Sequence, residues 1–186
     1  MWPFKKSADS PELNKDEPEL SVLPTDASML PGFKKDSEGR ISVEFTEEEK
    51  YEIDKCLKQL SKPGGVYIHP EVYNGMVAHA LSDYSQKQFS WVTTMLSAGE
   101  EVDKEGAANL AINAIMKAYA IYPLPIFLFH LAEYFELIGK RRAAKEVFRF
   151  FLSKETEYVP TPLSEMLLRA ELISPAEAID RARREL

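Results

Sequence analysis

The imidazole and thiol side chains, which can act as metal ligands, bases or nucleophiles, number four in this chain of 186 residues: His69, His79, His130 and the single cysteine, Cys56. The three histidines fall on different predicted helices or at their edges, with no His-x-x-x-His spacing and no paired carboxylates to complete a metal site. Nothing near Cys56 in sequence supplies an activating base or a cationic pocket. The sequence therefore predicts no catalytic residue, metal or cofactor and no enzyme, with a site assembled from distant positions as the alternative.

Charged residues set a second limit on function. Lys and Arg total 23 against 30 Asp and Glu, a formal net charge of -7, so a broad electrostatic surface for nucleic acid is not expected. One local basic stripe stands out, formed by Lys140, Arg141, Arg142, Lys145 and Arg149. No aromatic platform is interleaved with it, and the simplest interpretation is a solvated helix face.

The overall composition is that of a soluble globular protein, with 45% hydrophobic and 28% charged residues. The N-terminus lacks the apolar stretch of a secretory signal, and the lone cysteine fits a reducing compartment, so we expect a cytoplasmic location. The most apolar window, 118–132, contains Pro123, Pro125 and His130 and is shorter than the roughly 20 residues that span a bilayer. No transmembrane helix is predicted.

The chain changes character near residue 40. Residues 1–40 hold five of the 12 prolines among polar residues, and their scattered apolar side chains fit neither helical nor strand periodicity. They are predicted to be a disordered tail, and residues 41–186 an α-helical domain. Residues 41–45 alternate like a strand but have no predicted partner, so they are interpreted as a lead-in segment.

Helical periodicity dominates from Thr46 onward. Capping boxes are predicted at Thr46–Glu49 and at Ser174–Glu177. Eight helices are predicted, over about 47–61, 70–83, 89–104, 107–122, 126–138, 143–153, 164–172 and 175–186. The third of these continues through Gly99 and ends before Gly106.

An internal repeat appears when the chain is shifted along itself by 33 residues. Large residues then align with large ones and small with small: Met95 with Leu128, Gly99 with Ala132, Gly106 with Gly139, Ala111 with Ala144 and Ile115 with Phe148. A helix pair of this length cannot bury its apolar face alone, which gives a physical reason for stacking a second copy.

The two units, over about residues 92–157, resemble the tetratricopeptide repeat, whose helices cross at small residues. Ala111, Ala118 and Ala144 stand where that family places its packing alanines, while Met95 and Leu128 replace its tryptophan. The resemblance implies an all-α, helical-repeat fold of antiparallel helix pairs, with helices before and after the units acting as N- and C-terminal caps.

In that family the first helix of each unit lines a concave groove that holds a partner segment. The resemblance assigns to this groove Leu96, Glu100, Asp103, Ile126, Phe129, Glu133 and Glu136. Lys, Asn and Arg, which grip a C-terminal carboxylate in one subgroup of the family, are missing from these positions. The expected partner is therefore a protein segment with Lys or Arg beside apolar anchors. The simpler alternative is that the glutamates are a solvated face and the apolar residues are core.

These observations predict a non-enzymatic protein-binding adaptor, scaffold or chaperone. The main alternative is a membrane-peripheral tether in which Trp2–Lys6 and the basic stripe contact anionic lipid, and an enzyme with a convergent site is the other. Two copies of the chain could also associate, with the acidic groove of one copy against the basic stripe of the other, whether the protein is an adaptor or a tether.

Overall fold

The structure, a computed structural model, describes residues 26–60 and 67–186 and is mainly helical. The helices are α1 (Glu47–Leu60), α2 (Pro70–Ser97), α3 (Lys104–Ile121), α4 (Pro125–Leu137), α5 (Arg141–Glu157), α6 (Pro162–Leu168) and α7 (Pro175–Glu185). A single turn of 3-10 helix (Ala27–Met29) and two short strands, β1 (Lys34–Lys35) and β2 (Ile41–Ser42), precede them. The predicted all-helical class is confirmed.

The structured part of the chain begins well before residue 41. Strands β1 and β2 pair antiparallel, with Lys34 opposite Ser42 and Lys35 opposite Ile41. The prediction that residues 41–45 have no partner is therefore wrong, because the partner strand lies within the segment assigned to the tail. The rest of that segment, residues 1–25, lies outside the described residues.

The β1–β2 ribbon is fixed to α2 by one amide side chain. Asn74 accepts a hydrogen bond from the Ile41 N–H at 2.9 Å and donates one to the Gly39 carbonyl at 3.1 Å. Ala27 and Val43, on either side of the ribbon, are buried in the core. The ribbon is thus part of the folded unit.

Helix α2 replaces two predicted helices, so the described part of the chain has seven helices and not eight. Two buried polar residues, Ser82 and Ser85, interrupt the apolar stripe of this helix. The Ser85 hydroxyl donates a hydrogen bond to the Ser82 carbonyl at 2.8 Å and lies 3.0 Å from the Tyr134 hydroxyl. The helix ends at Ser97 and not near residue 104, because Gly99 adopts a left-handed φ of 78°.

The predicted start of α1 is confirmed in detail. The Thr46 N–H donates to the Glu49 carboxylate at 2.9 Å and the Glu49 N–H donates to the Thr46 hydroxyl at 3.2 Å, which is a reciprocal capping box. At α7, Ser174 accepts the Glu177 N–H at 3.3 Å.

Helix α4 lies at the centre of the core. Phe127, Leu128, Phe129 and Leu131 are each at most 1% exposed, so the first eight residues of the helix are buried on every side. It packs against α3 and α5, while α2 lies along α3. Helix α6 packs on α2, and α7 packs on α5 and α4, so the C-terminal helices close over this core.

The tight packing of small residues gives a stability prediction. Ala144 is fully buried on α5, so Ala144→Leu is expected to overpack the core and lower the free energy of unfolding by about 1 to 3 kcal/mol. Lys145→Leu, one position along the same helix and exposed, is the matched control. Equal urea midpoints for the two variants would contradict the packing seen at Ala144.

Candidate functional site

The predicted groove residues of the first unit lie where α2 turns into α3. Leu96 is 39% exposed and Glu100 is exposed, as expected for a surface that meets a partner. Asp103 is the N-cap of α3, because its carboxylate accepts a hydrogen bond from the Gly106 N–H at 2.9 Å.

The predicted groove residues of the second unit are covered by the chain itself. Ile126 and Phe129 are fully buried, so the expectation that they are exposed anchors is wrong. The Phe129 ring packs against the rings of Phe148 and Phe151 on α5 at 5.8 and 5.7 Å. On its other side the Arg181 guanidinium of α7 lies 5.3 Å from the ring centre.

The two glutamates of the same stripe also face α7. Arg181 donates a hydrogen bond to the Glu133 carboxylate. Burial raises the pKa of Glu136, and the nearby carboxylates of Glu185 and Glu133 raise it further. The predicted residues therefore do not form one continuous groove: Glu133 pairs with Arg181 of α7, and Glu136 lies near the Glu185 carboxylate of the same helix.

A buried polar cluster lies beneath the C-terminal helices. The carboxylate of Glu171, in the turn between α6 and α7, is 1% exposed. It accepts a hydrogen bond from Gln86 at 2.6 Å and a bifurcated one from the Ser82 hydroxyl, which lies 3.3 Å from both carboxylate oxygens. His130 Nε2 lies 3.1 Å from the same carboxylate and His79 Nδ1 lies 3.8 Å from it. We call these five residues the Glu171 cluster.

The Glu171 cluster holds a charge away from water. Burial alone would raise the pKa of Glu171, but the hydrogen bonds from His130 and Gln86, the charge of His130 and the nearby His79 imidazole outweigh it, and the pKa falls to about 2. Burial would lower the pKa of His130, but its bonds to Glu133 and Glu171 prevail and the pKa is raised. The pair is therefore an ion pair that joins α4 to the C-terminal turn.

The spacing of polar residues in the sequence indicates this cluster, although each histidine considered alone does not. His79, Ser82 and Gln86 are spaced i, i+3 and i+7 on α2, which places three polar side chains on one face of a helix whose remaining buried residues are mostly apolar. Such a stripe indicates a buried polar partner.

One open concavity lies between α1, α2, α3 and the segments on either side of the ribbon, residues 30–31 and 44–46. A cleft of about 380 Å³ is lined by side chains from these elements, including Phe45, Tyr84, Leu110 and Met116. A second hollow of about 420 Å³ adjoins it and shares Tyr84. We call the two together the Tyr84 cleft. Its apolar surface is accessible, since Leu110 on α3 is 45% exposed.

A nearly buried ion pair forms one wall of the Tyr84 cleft. Lys117 Nζ on α3 donates to the Glu49 carboxylate on α1 at 2.7 Å and lies 5.9 Å from the centre of the Phe45 ring. Glu49 also accepts the Thr46 N–H as part of the capping box. The carboxylate is thus committed to holding α1 against α3, and it is poorly placed to act as a free base.

The rim of the Tyr84 cleft is acidic. Among the described residues that line it, five are glutamates and two are lysines, Lys87 and Lys117. Both lysines are neutralised by carboxylates, Lys87 by Glu52 at 3.0 Å and by Asp83 at 2.7 Å. Glu44 and Glu48 are exposed and form no ion pair with the described residues. The cleft therefore combines an apolar floor with a surplus of negative charge.

Cys56 and His79 meet at a smaller cavity of about 140 Å³. Burial raises the pKa of the Cys56 thiol, and the charges of Asp83 and Glu52 raise it further, which opposes formation of a nucleophilic thiolate. Over residues 26–60 and 67–186, His, Cys, Asp and Glu side chains form no group of three or more that could hold a metal ion.

The surfaces of the tether alternative are only partly described. Arg141, Arg142, Lys145 and Arg149 are exposed along α5. Trp2–Lys6 lies outside the described residues. Among the helices that the structure does describe, none combines the length and the apolar character needed to cross a membrane.

Comparison with known proteins adds no family to these observations. No family model matches the chain, and no curated protein or solved structure matches it.

Proposed function

We propose that this protein is a non-enzymatic protein-binding adaptor and that its partner segment lies in the Tyr84 cleft. The observation that carries the proposal is the accessible apolar floor of this cleft inside an acidic rim. An exposed apolar surface edged by polar groups is typical of a protein interaction site.

The charge of the rim defines the chemistry of the partner. Glu44 and Glu48 attract Lys or Arg, while Leu110, Met116 and Phe45 offer an apolar surface for a neighbouring anchor. The partner is then a segment that carries Lys or Arg beside a large apolar residue. This is the same partner chemistry that the sequence predicts, at a different surface.

The ionisable groups of the cleft support binding over catalysis. Glu49 is held by a cap and by Lys117. Burial raises the pKa of Tyr84, and the charges of Glu48, Glu49 and Glu52 raise it further, so its hydroxyl stays protonated and is available as a hydrogen-bond donor.

We further propose that α2–α3 and α4–α5 are tetratricopeptide-like helix pairs on which the cleft is built. The close packing of each pair and the full burial of Ala111 and Ala144 support this interpretation. In this arrangement α1 and the ribbon form an N-terminal cap, and α1 together with the residues that flank the ribbon supplies one side of the cleft.

The proposal is tested with a peptide library in which basic and apolar positions vary. Wild-type protein is expected to select peptides with Lys or Arg beside Leu, Ile or Phe. The Glu44→Lys, Glu48→Lys double variant is expected to bind the selected peptides about tenfold more weakly, because two attractive rim charges become repulsive. Isothermal titration calorimetry measures the loss.

The matched control reverses the same number of charges elsewhere. Glu100→Lys, Glu101→Lys changes two exposed glutamates on the turn between α2 and α3, outside the Tyr84 cleft, and is expected to retain wild-type affinity. Loss of binding in this control with retention in the cleft variant would return the site to the surface first predicted around Glu100.

A further inference from the structure

The C-terminal segment, residues 161–186, is held to the rest of the fold by small apolar contacts and by one polar cluster. Helix α7 fully buries only two methyl side chains, those of Ala178 and Ala182, while Leu167 and Ile173 supply the larger buried anchors. Alanine offers little apolar area. Leu163, Leu168 and Ile179 add partly buried apolar contacts. The polar contacts of Glu171 and Arg181 join the segment to α2 and α4.

The charges that meet at this attachment balance only when a histidine is protonated. His130 on α4 faces Glu171 from the C-terminal turn at 3.1 Å and Glu133 of its own helix at 3.6 Å. Helix α7 contributes Arg181, which bonds to Glu133. Arg181 thus balances the charge of Glu133, and the positive charge opposite Glu171 is the proton of the imidazole.

Helix α2 and the ring of Tyr134 complete the surroundings of His130. From α2, His79, Ser82 and Gln86 face Glu171 and contribute no permanent charge. The Tyr134 ring stacks on His130 with centroids 6.5 Å apart, and burial raises the pKa of its hydroxyl, so it stays neutral. Loss of the His130 proton would leave buried negative charge without compensation.

We propose that the C-terminal segment is a pH-sensitive latch, closed on α2 and α4 while His130 carries its proton and released as that proton is lost. The segment covers the side of α4 that carries Phe129 and Glu133. Release of the segment therefore exposes this side of α4, which is a different surface from the Tyr84 cleft.

The direction of the pH dependence follows from the two partners. The pKa of His130 is raised in the closed state, so its contribution is complete below its ordinary value of 6.5 and is lost as the pH rises through the raised value. The pKa of Glu171 is lowered from 4.5 to about 2, so its contribution is complete above 4.5 and is lost toward pH 2. The latch is firmest between these limits and loosens on the alkaline side.

The test is hydrogen exchange of the full-length chain at pH 6 and pH 9. Protection factors, which remove the intrinsic pH dependence of exchange, are measured at Ala178 and Ala182 and compared with those at Ile115 in α3. In the wild type, the α7 protection factors are expected to fall several-fold from pH 6 to pH 9 relative to Ile115. His130→Gln is expected to show lower α7 protection at pH 6 and no fall.

Two further variants keep the test decisive if His130→Gln folds poorly. Glu171→Gln removes one of the two carboxylate charges that raise the pKa of His130, the other being Glu133, and is expected to shrink the fall. His69→Gln, which removes an exposed histidine at the start of α2, is expected to keep the full fall. Equal wild-type protection at both pH values, or a full fall in the Glu171 variant, would overturn the latch.

Discussion

Replacing Phe129 with alanine is expected to lower the free energy of unfolding by about 3 to 5 kcal/mol, a loss typical of fully buried aromatic side chains. Phe129 is 0% exposed and packs against Phe148 and Phe151 of α5, with Arg181 of α7 on its other side. Truncation leaves a cavity at the junction of three helices, which rigid neighbours fill only in part. Urea-induced unfolding followed by circular dichroism measures the loss.

Leu96→Ala is the matched control for Phe129→Ala, because the sequence assigned both residues to the partner groove. Leu96 is 39% exposed near the end of α2, so its truncation is expected to cost well under about 1 kcal/mol. Equal losses in the two variants would mean that Phe129 is not a core residue. The contrast decides whether the α4 stripe is a binding surface or part of the interior.

The sequence predicted the helices best where capping residues mark their ends. Thr46 and Glu49 start α1, and Ser174 with Pro175 starts α7, as expected. The sequence prediction is wrong within α2, because the polar residues around Ser85 interrupt the apolar periodicity and indicate a gap between two helices. The stretch is polar since it packs against Tyr134 and the C-terminal turn, and only the tertiary fold supplies those partners.

The 33-residue alignment also shows where periodicity is informative. It pairs Ala111 with Ala144, and both are fully buried in α3 and α5. It pairs Gly106 with Gly139 less well, because Gly139 has a φ of 81° after α4 whereas Gly106 lies in the first turn of α3. The period thus holds for Ala111 and Ala144, whereas it pairs Gly99, exposed after α2, with Ala132, which is fully buried inside α4.

Both candidate sites depend on contacts between residues that are distant in sequence. Glu171 bonds to Gln86 and His130, which lie 85 and 41 positions away. The Tyr84 cleft uses Leu30 and Pro31, which the sequence placed in a disordered tail. A histidine or glutamate considered alone gives no sign of such a partner, although the i, i+3, i+7 polar stripe on α2 indicates that one exists.

Glu171→Ala is expected to lower the free energy of unfolding by about 3 to 5 kcal/mol at pH 6, comparable to Phe129→Ala although the removed group is polar. Its carboxylate is 1% exposed and pairs with His130 and Gln86, so truncation leaves a buried imidazolium and a buried amide without their acceptor. Urea-induced unfolding at pH 6 measures the change.

The pH dependence separates this loss from a simple packing defect. Because the pKa of Glu171 is lowered from 4.5 to about 2, its ionised form stabilises the fold above pH 4.5, and that advantage declines as the pH falls toward 2. The gap between wild type and Glu171→Ala should therefore narrow with acid, whereas the gap for Phe129→Ala should not. Glu165→Ala, an exposed carboxylate on α6, controls for loss of charge alone. If Glu171→Ala costs no more than this control, the buried ion pair does not hold the C-terminal segment in place.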